Sequence, residues 1–239
     1  YFKKKDYKQS LIWFRKYVDN MAGTKSKMMA DAYNRIGDGF FVAGTHEQAI
    51  DAYSKAIELN ATNIDYAMFQ KGFTLGLTKQ YNEKIILMND IVNNYPSSSY
   101  IDDALFEIAR AYTEIEEKDM AITMYQKLID DYPSSSYYLK AHLEMALLYN
   151  AMDKNEEAVS MYKKVAEGYP GTEEAKNAAN GMKIVYMDMN KVDEWYDWVK
   201  KRNVGAIDIR QSEEDSSLYA SAEKVYMSGD CVKSIEQFN

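Results

Sequence analysis

The chain is short of the residues that cross-link, break or stiffen a polypeptide. Its 239 residues include one cysteine, Cys231, so no disulfide can form within it and cysteine usage leaves the compartment open. Three prolines and 11 glycines are too few for a loop-rich or all-β protein. β-branched residues are sparse, and no sustained two-residue alternation marks a strand. The two histidines, His46 and His142, stand far apart and give no metal-ligand cluster of conventional spacing. No apolar run approaches the roughly 18–20 residues of a membrane span, and no signal-peptide pattern is visible. Positive charge is also scarce: 29 Lys and Arg against 37 Asp and Glu leave a net charge of −8. That balance disfavours nucleic acid or anionic membrane as a partner of the whole surface. Residues 1–17 are a local exception, with Lys3, Lys4, Lys5, Lys8, Arg15 and Lys16 against Asp6 alone. Such a run reads as a solvated helix face or a small basic patch.

What the chain does have is 46% hydrophobic residues, 21 tyrosines and a period. Pro96, Pro133 and Pro170 are 37 residues apart, and each follows a tyrosine. Asn94-Tyr95-Pro96-Ser97-Ser98-Ser99-Tyr100 is echoed by Asp131-Tyr132-Pro133-Ser134-Ser135-Ser136-Tyr137 and, more faintly, by Gly168-Tyr169-Pro170. A fixed period of this size signals stacked supersecondary units. Each interval holds two amphipathic helical patterns. Ile101, Leu105, Ile108, Ala109 and Tyr112 form the first of one unit, and Ala121, Ile122, Tyr125, Leu128 and Ile129 the second, with a polar break at Glu116-Glu117-Lys118-Asp119. Proline restricts the residue before it and lacks an amide hydrogen, so Tyr-Pro should close each second helix. The serines after Pro96 and Pro133, and Thr172 after Pro170, are expected to cap the next helix.

These residues resemble the tetratricopeptide repeat skeleton of W-x2-L-G-x2-Y, A-x3-F and P. One unit supplies Leu105, Ile108, Ala109, Tyr112, Ala121, Tyr125 and Pro133; the next supplies His142, Met145, Ala146, Tyr149, Ala158, Tyr162 and Pro170. An earlier unit gives Tyr33, Ile36, Gly37, Phe40, Ala49 and Tyr53, and a looser one Met68, Lys71, Gly72, Leu75, Lys84, Met88 and Pro96. Gly37, Gly72, Ala109 and Ala146 mark where the two helices of a repeat should approach closely. The resemblance implies an all-α, right-handed superhelical solenoid of antiparallel helix pairs, with full repeats near 26–61, 62–97, 98–134 and 135–170. A degenerate repeat is expected near 171–205, where Lys183 and Trp195 replace small residues and should shift the packing. Partial repeats are expected at 1–24 and 212–239, Tyr1 at a closing aromatic position and Ala222, Ser234 and Phe238 in frame. The chain would then be a piece of a longer array, whose unpaired ends could self-associate. The period exceeds the usual 34 residues of the family. Its Y-P-x-S-x-Y turns look like those of bacterial cell-envelope members, the Tol–Pal-associated periplasmic proteins and outer-membrane assembly lipoproteins. That likeness implies a periplasmic or envelope location, with a cytoplasmic one as the alternative.

No catalytic residue or cofactor-binding motif emerges. Gly37-Asp38-Gly39 lies inside a helical pattern without the strand a phosphate loop needs, His142 takes an aromatic packing position, and His46 is expected at the surface. The departure from pattern is a second apolar stripe, Tyr66, Phe69, Phe73 and Leu77, beside the packing stripe Ile64, Met68, Gly72 and Leu75. In tetratricopeptide arrays this face of the first helix lines the concave groove. The matching positions are Asp31, Asn34, Asp38 and Val42; then Asp103, Phe106, Arg110 and Glu114; then Lys140, Leu143, Leu147 and Ala151. An aromatic centre flanked by charges suits a protein or peptide partner, although the same aromatics could instead pack against neighbouring helices. Members that bind chaperone tails clamp a terminal carboxylate with Lys, Asn and Arg; Asn34 matches, but Asp38, Phe69 and Phe73 stand where its polar partners belong. The reading is a non-catalytic interaction scaffold. The alternatives are a docking arm of a larger enzyme and glycan or cell-wall binding through exposed aromatics.

Overall fold

The computed structural model describes residues 6–21, 23, 25–202 and 211–228, the last stretch by backbone alone at 211–213. Tyr1, Lys3, Lys4, Lys5, Cys231, Ser234 and Phe238, named above, lie outside them. The described residues form twelve α-helices and no strand, falling into two compact units, Tyr1–Tyr132 and Pro133–Asn239.

The first unit holds α1 (Tyr7–Asn20), α2 (Lys27–Val42), α3 (His46–Leu59), α4 (Ile64–Leu77), α5 (Tyr81–Asn94), α6 (Ile101–Glu114) and α7 (Lys118–Asp131). Each helix packs chiefly on its neighbours in the chain, the pattern of a stack of helix pairs. The consensus positions form the core: Tyr53, Met88, Leu105, Ile108, Ala121 and Leu128 are fully buried. Each of the large side chains contributes about 1.5–3 kcal/mol by leaving water. The close-approach argument holds in the structure. A Cβ on Gly37 would come within 2.5 Å of the Tyr53 ring, and one on Gly72 within 2.7 Å of the Met88 methyl.

The second unit holds α8 (Tyr138–Asn150), α9 (Asn155–Gly168), α10 (Glu173–Asp188), α11 (Val192–Arg202) and α12 (Gln211–Met227). Its core centres on Ala146, Ala158, Tyr162, Met182 and Trp195. The α10–α11 contact is the sparser one: α11 meets α10 through fewer residues than α9 does. The Trp195 indole donates to the Ala179 carbonyl at 2.9 Å, and the Lys183 ammonium lies over the rings of Trp195 and Tyr196. Gly181 marks a close approach of α10 to α9, since a Cβ there would meet the Tyr162 ring at 2.6 Å.

The first helix of every pair ends alike. Gly44, Lys79, Glu116, Asp153 and Asn190 have φ between 54° and 74°. The next amide in each case donates five residues back, as from Glu117 to Tyr112 O and from Lys154 to Tyr149 O. That is a Schellman cap, which satisfies carbonyls the helix leaves open. Glycine, the residue suited to that conformation, fills only the first of these positions.

The Tyr-Pro turns close the second helices as expected: Tyr95, Tyr132 and Tyr169 leave helical geometry with ψ of 63°, 59° and 53°. The capping expectation needs correction. Thr172 does cap α10 by accepting from Ala175 N at 3.1 Å, but no serine caps α6 or α8. Ser98 and Ser135 accept instead from Tyr100 N and Tyr137 N, two residues on, and the helices start at these tyrosines. The extra residues of the turn leave these hydroxyls two residues short of the cap, where they bend the chain before the helix begins.

Candidate functional site

On the first unit, Phe41 and Asp38 of α2, Tyr66, Phe69 and Phe73 of α4, and Tyr100 at the start of α6 form one continuous surface. Phe69 and Tyr100 stack with centroids 5.1 Å apart and planes at 17°. Phe73 continues the row from Phe69 at 6.4 Å, Phe41 from Phe73 at 6.0 Å and the His46 ring from Phe41 at 5.9 Å. At the other end Tyr66 meets Tyr100 at 6.1 Å. The resulting ladder of rings is half-buried throughout. Phe69 and Phe73 rest on the core around Met68, Met88 and Ile108, so these two aromatics pack, while half-burial leaves part of each ring in solvent. Val42 and Leu77 at the Phe41–Phe73 end are 57% and 50% exposed.

Polar groups fix the opposite end. Asp38 Oδ1 accepts from the Tyr53 hydroxyl at 2.9 Å and the Tyr66 hydroxyl at 2.6 Å, while Oδ2 accepts from Arg35 at 3.0 Å. One carboxylate thereby ties α2, α3 and α4 together. Burial, reinforced by Asp38, raises both tyrosine hydroxyls well above their ordinary range. Arg35 also reaches Asp31 at 3.3 Å and lies 5.9 Å above the Tyr66 ring. Asp65 accepts from Ser98 in the turn at 2.7 Å, which holds Tyr100 against Phe69. The longer repeat therefore has a structural result: its additional turn delivers an aromatic ring to the face of the preceding repeat.

Not every groove residue expected from the sequence lies on this surface. Phe106 is a correction: it is 1% exposed and packs its ring on Tyr125 at 5.5 Å, so it belongs to the core. Asn34 is also 1% exposed, and its amide nitrogen and oxygen find no hydrogen-bond partner. Asp103 is half-buried; Arg110 is exposed and bonds Glu107 at 3.1 Å, and exposed Glu114 accepts from the Tyr81 hydroxyl at 3.1 Å. Lys140, Leu143 and Leu147 lie on α8 of the second unit, where Leu143 packs on the core and Leu147 is 55% exposed.

Neither histidine is chemically placed. His142 is buried, with Nδ1 bonded to the Tyr138 carbonyl at 2.9 Å. His46 is half-buried rather than at the surface, because its ring closes the aromatic ladder.

Sequence reasoning missed two participants. Tyr100 was legible only as part of a repeated turn, and nothing in the sequence marked its partner. Lys84 stands where the repeats have alanine, yet it is 4% exposed and ion-paired with Glu107 of α6, itself 5% exposed. Gly76 makes room for the ammonium, since a Cβ there would lie 2.9 Å from Nζ. Burial lowers the Lys84 pKa despite the attraction of Glu107. An open pocket of about 920 Å³ runs along α5 past Glu83, Ile86, Asn89 and Asn93. Among the described residues no group of His, Cys, Asp and Glu is placed to hold a metal ion, and no helix is long and apolar enough to cross a membrane.

Comparison with known proteins agrees with this architecture. Models of the tetratricopeptide repeat match residues 30–63, 66–98, 103–135 and 140–172, more than half of the chain. Among solved structures, MamA (residues 41 to the end) from Desulfovibrio magneticus RS-1 superposes with a TM-score of 0.59 at 19% identity, over 70% of this chain and 87% of that one. Pseudomonas aeruginosa PilF gives 0.60 at 16% identity over 86% and 88%. YrrB, described as a TPR protein with an unusual peptide-binding site, gives 0.58 at 16% identity over 87% and 96%. Curated protein sequences gave no match.

Proposed function

The chain belongs to the tetratricopeptide repeat family, and we propose that it is a non-catalytic scaffold that holds a peptide or protein on the first-helix face of its first unit. The observation that carries this reading is the aromatic ladder from Phe41 to Tyr66, fixed from beneath yet open along one edge, with Val42 and Leu77 exposed beside it. Rigid aromatic edges beside exposed apolar side chains are how interfaces concentrate binding energy. Tetratricopeptide proteins work as protein-interaction modules, and the peptide-binding site named for YrrB supports the same role here. Asp38 is committed to two tyrosines and Arg35, which argues against a clamp for a terminal carboxylate. The Tyr-Pro turns support a place in a bacterial cell envelope, which fractionation of the source cells tests.

Val42 and Leu77 allow a clean test, since both are exposed and neither is needed for the ladder. The Val42→Ser, Leu77→Ser double variant should lose a bound peptide at least about tenfold, with helical circular dichroism and melting temperature unchanged. Binding that survives intact would move the site to another face.

A further inference from the structure

Resting on that reading of the face, we propose that its partner is a basic segment, with an arginine or lysine seated at the Tyr66–Tyr100 end and apolar side chains running toward Val42 and Leu77. The two ends of the ladder differ in charge. Asp31, Asp38, Asp65 and Asp103 gather around Tyr66 and Tyr100, and Arg35 is set among them. The charged groups bearing on the Tyr100 hydroxyl are Asp65 and Asp103, then Arg35 and Asp38, while Asp31 pairs with Arg35. Asp31 keeps 44% of its side chain exposed in that pair. The Phe41–Phe73 end presents Val42 and Leu77 instead.

Arg35 shows what this end accommodates. Its guanidinium lies over the Tyr66 ring at 5.9 Å and reaches carboxylates on either side, Asp31 at 3.3 Å and Asp38 at 3.0 Å. A second cation meets the same two kinds of group, a tyrosine ring and carboxylate oxygens such as those of half-exposed Asp31. Arginine suits it better than lysine, because a planar fork can stack and bridge carboxylates together. The surface thus discriminates against acidic ligands by repulsion and favours basic ones by stacking.

Selection from a random-peptide library on the full chain tests this, with the Val42→Ser, Leu77→Ser protein used for counter-selection. Recovered peptides should be rich in arginine or lysine next to apolar residues. Their affinity should fall about tenfold in an Asp31→Asn, Asp103→Asn variant and also at high salt. A charge-matched Asp51→Asn, Glu58→Gln variant on α3 should bind nearly as the parent does. Neutral or acidic peptides that still need Val42 and Leu77 would overturn the basic partner while leaving the face intact as a binding site. If no recovered peptide depends on Val42 and Leu77, the binding face itself fails, and the basic partner with it.

Discussion

Lys84 in the first unit and Trp195 in the second occupy the same repeat position, filled elsewhere by Ala49, Ala121 and Ala158. Those alanines are completely buried, so either replacement must displace something. The chain solves the problem in opposite ways. Lys84 stays between its neighbours, because Gly76 leaves room for the ammonium and Glu107 of the following repeat neutralises it. Trp195 changes the pair itself: α11 meets α10 differently, and the indole N–H takes the Ala179 carbonyl. A polar misfit can be absorbed by one partner placed across the repeat boundary. An oversized apolar one must move a helix, since interiors are close-packed. The repeat consensus therefore constrains volume more strictly than polarity, provided a partner is supplied.

The two solutions should fail differently. Trp195→Ala restores the consensus residue yet should cost about 3–5 kcal/mol, because α11 is already set for the larger side chain. Chemical denaturation measures this, and a near-neutral result would mean that the pair relaxes back to ordinary repeat packing. Glu107→Ala leaves the Lys84 charge buried with its partner gone and should cost about 3 kcal/mol at neutral pH. That deficit should shrink as pH rises toward 10.5, because Lys84 titrates below its ordinary value in the fold and the unfolded chain holds its proton longer. Thermal melts at several pH values read the slope; a deficit independent of pH would remove the charge explanation.

Replacing the pair together, Lys84→Met with Glu107→Leu, should leave stability within about 1–2 kcal/mol of the parent or raise it. A large loss would show that the pair specifies register between repeats. A smaller effect concerns the Asp38 network. Because Tyr53 and Tyr66 are raised in the fold, the protonated hydroxyls stabilise it fully below pH 10, and that contribution is lost as pH climbs above 10. Tyr66→Phe should cost about 1 kcal/mol near neutrality, and the variant should lose less than the parent between pH 10 and 11. An identical alkaline loss in both would place the sensitive group elsewhere.

Much of this was legible because helical periodicity and proline punctuation act locally. The pattern from Ile101 to Tyr112 and from Ala121 to Ile129 gave α6 and α7 nearly to their ends, and Tyr132-Pro133 gave the stop. The stripe of Tyr66, Phe69 and Phe73 was legible as an anomaly for the same reason. Phe106 departs from the expected groove because one repeat frame assigns the same direction to every equivalent side chain, whereas in the fold this ring packs on Tyr125 of the following helix. The serine caps were misjudged because an Oγ two residues early serves the turn equally well.

The order of the twelve described helices and the small positions at Gly37 and Gly72 were determined by the sequence alone, since each depends on residues within a single repeat. Tertiary structure decided how the sequence's exceptions are used. Tyr100 reaches Phe69, Glu107 reaches Lys84 and Tyr66 reaches Asp38 across separations of 23 to 31 residues. Those meetings depend on where whole helices come to rest. No local pattern carries that information, because pairing across repeats is settled by packing volume and charge in three dimensions.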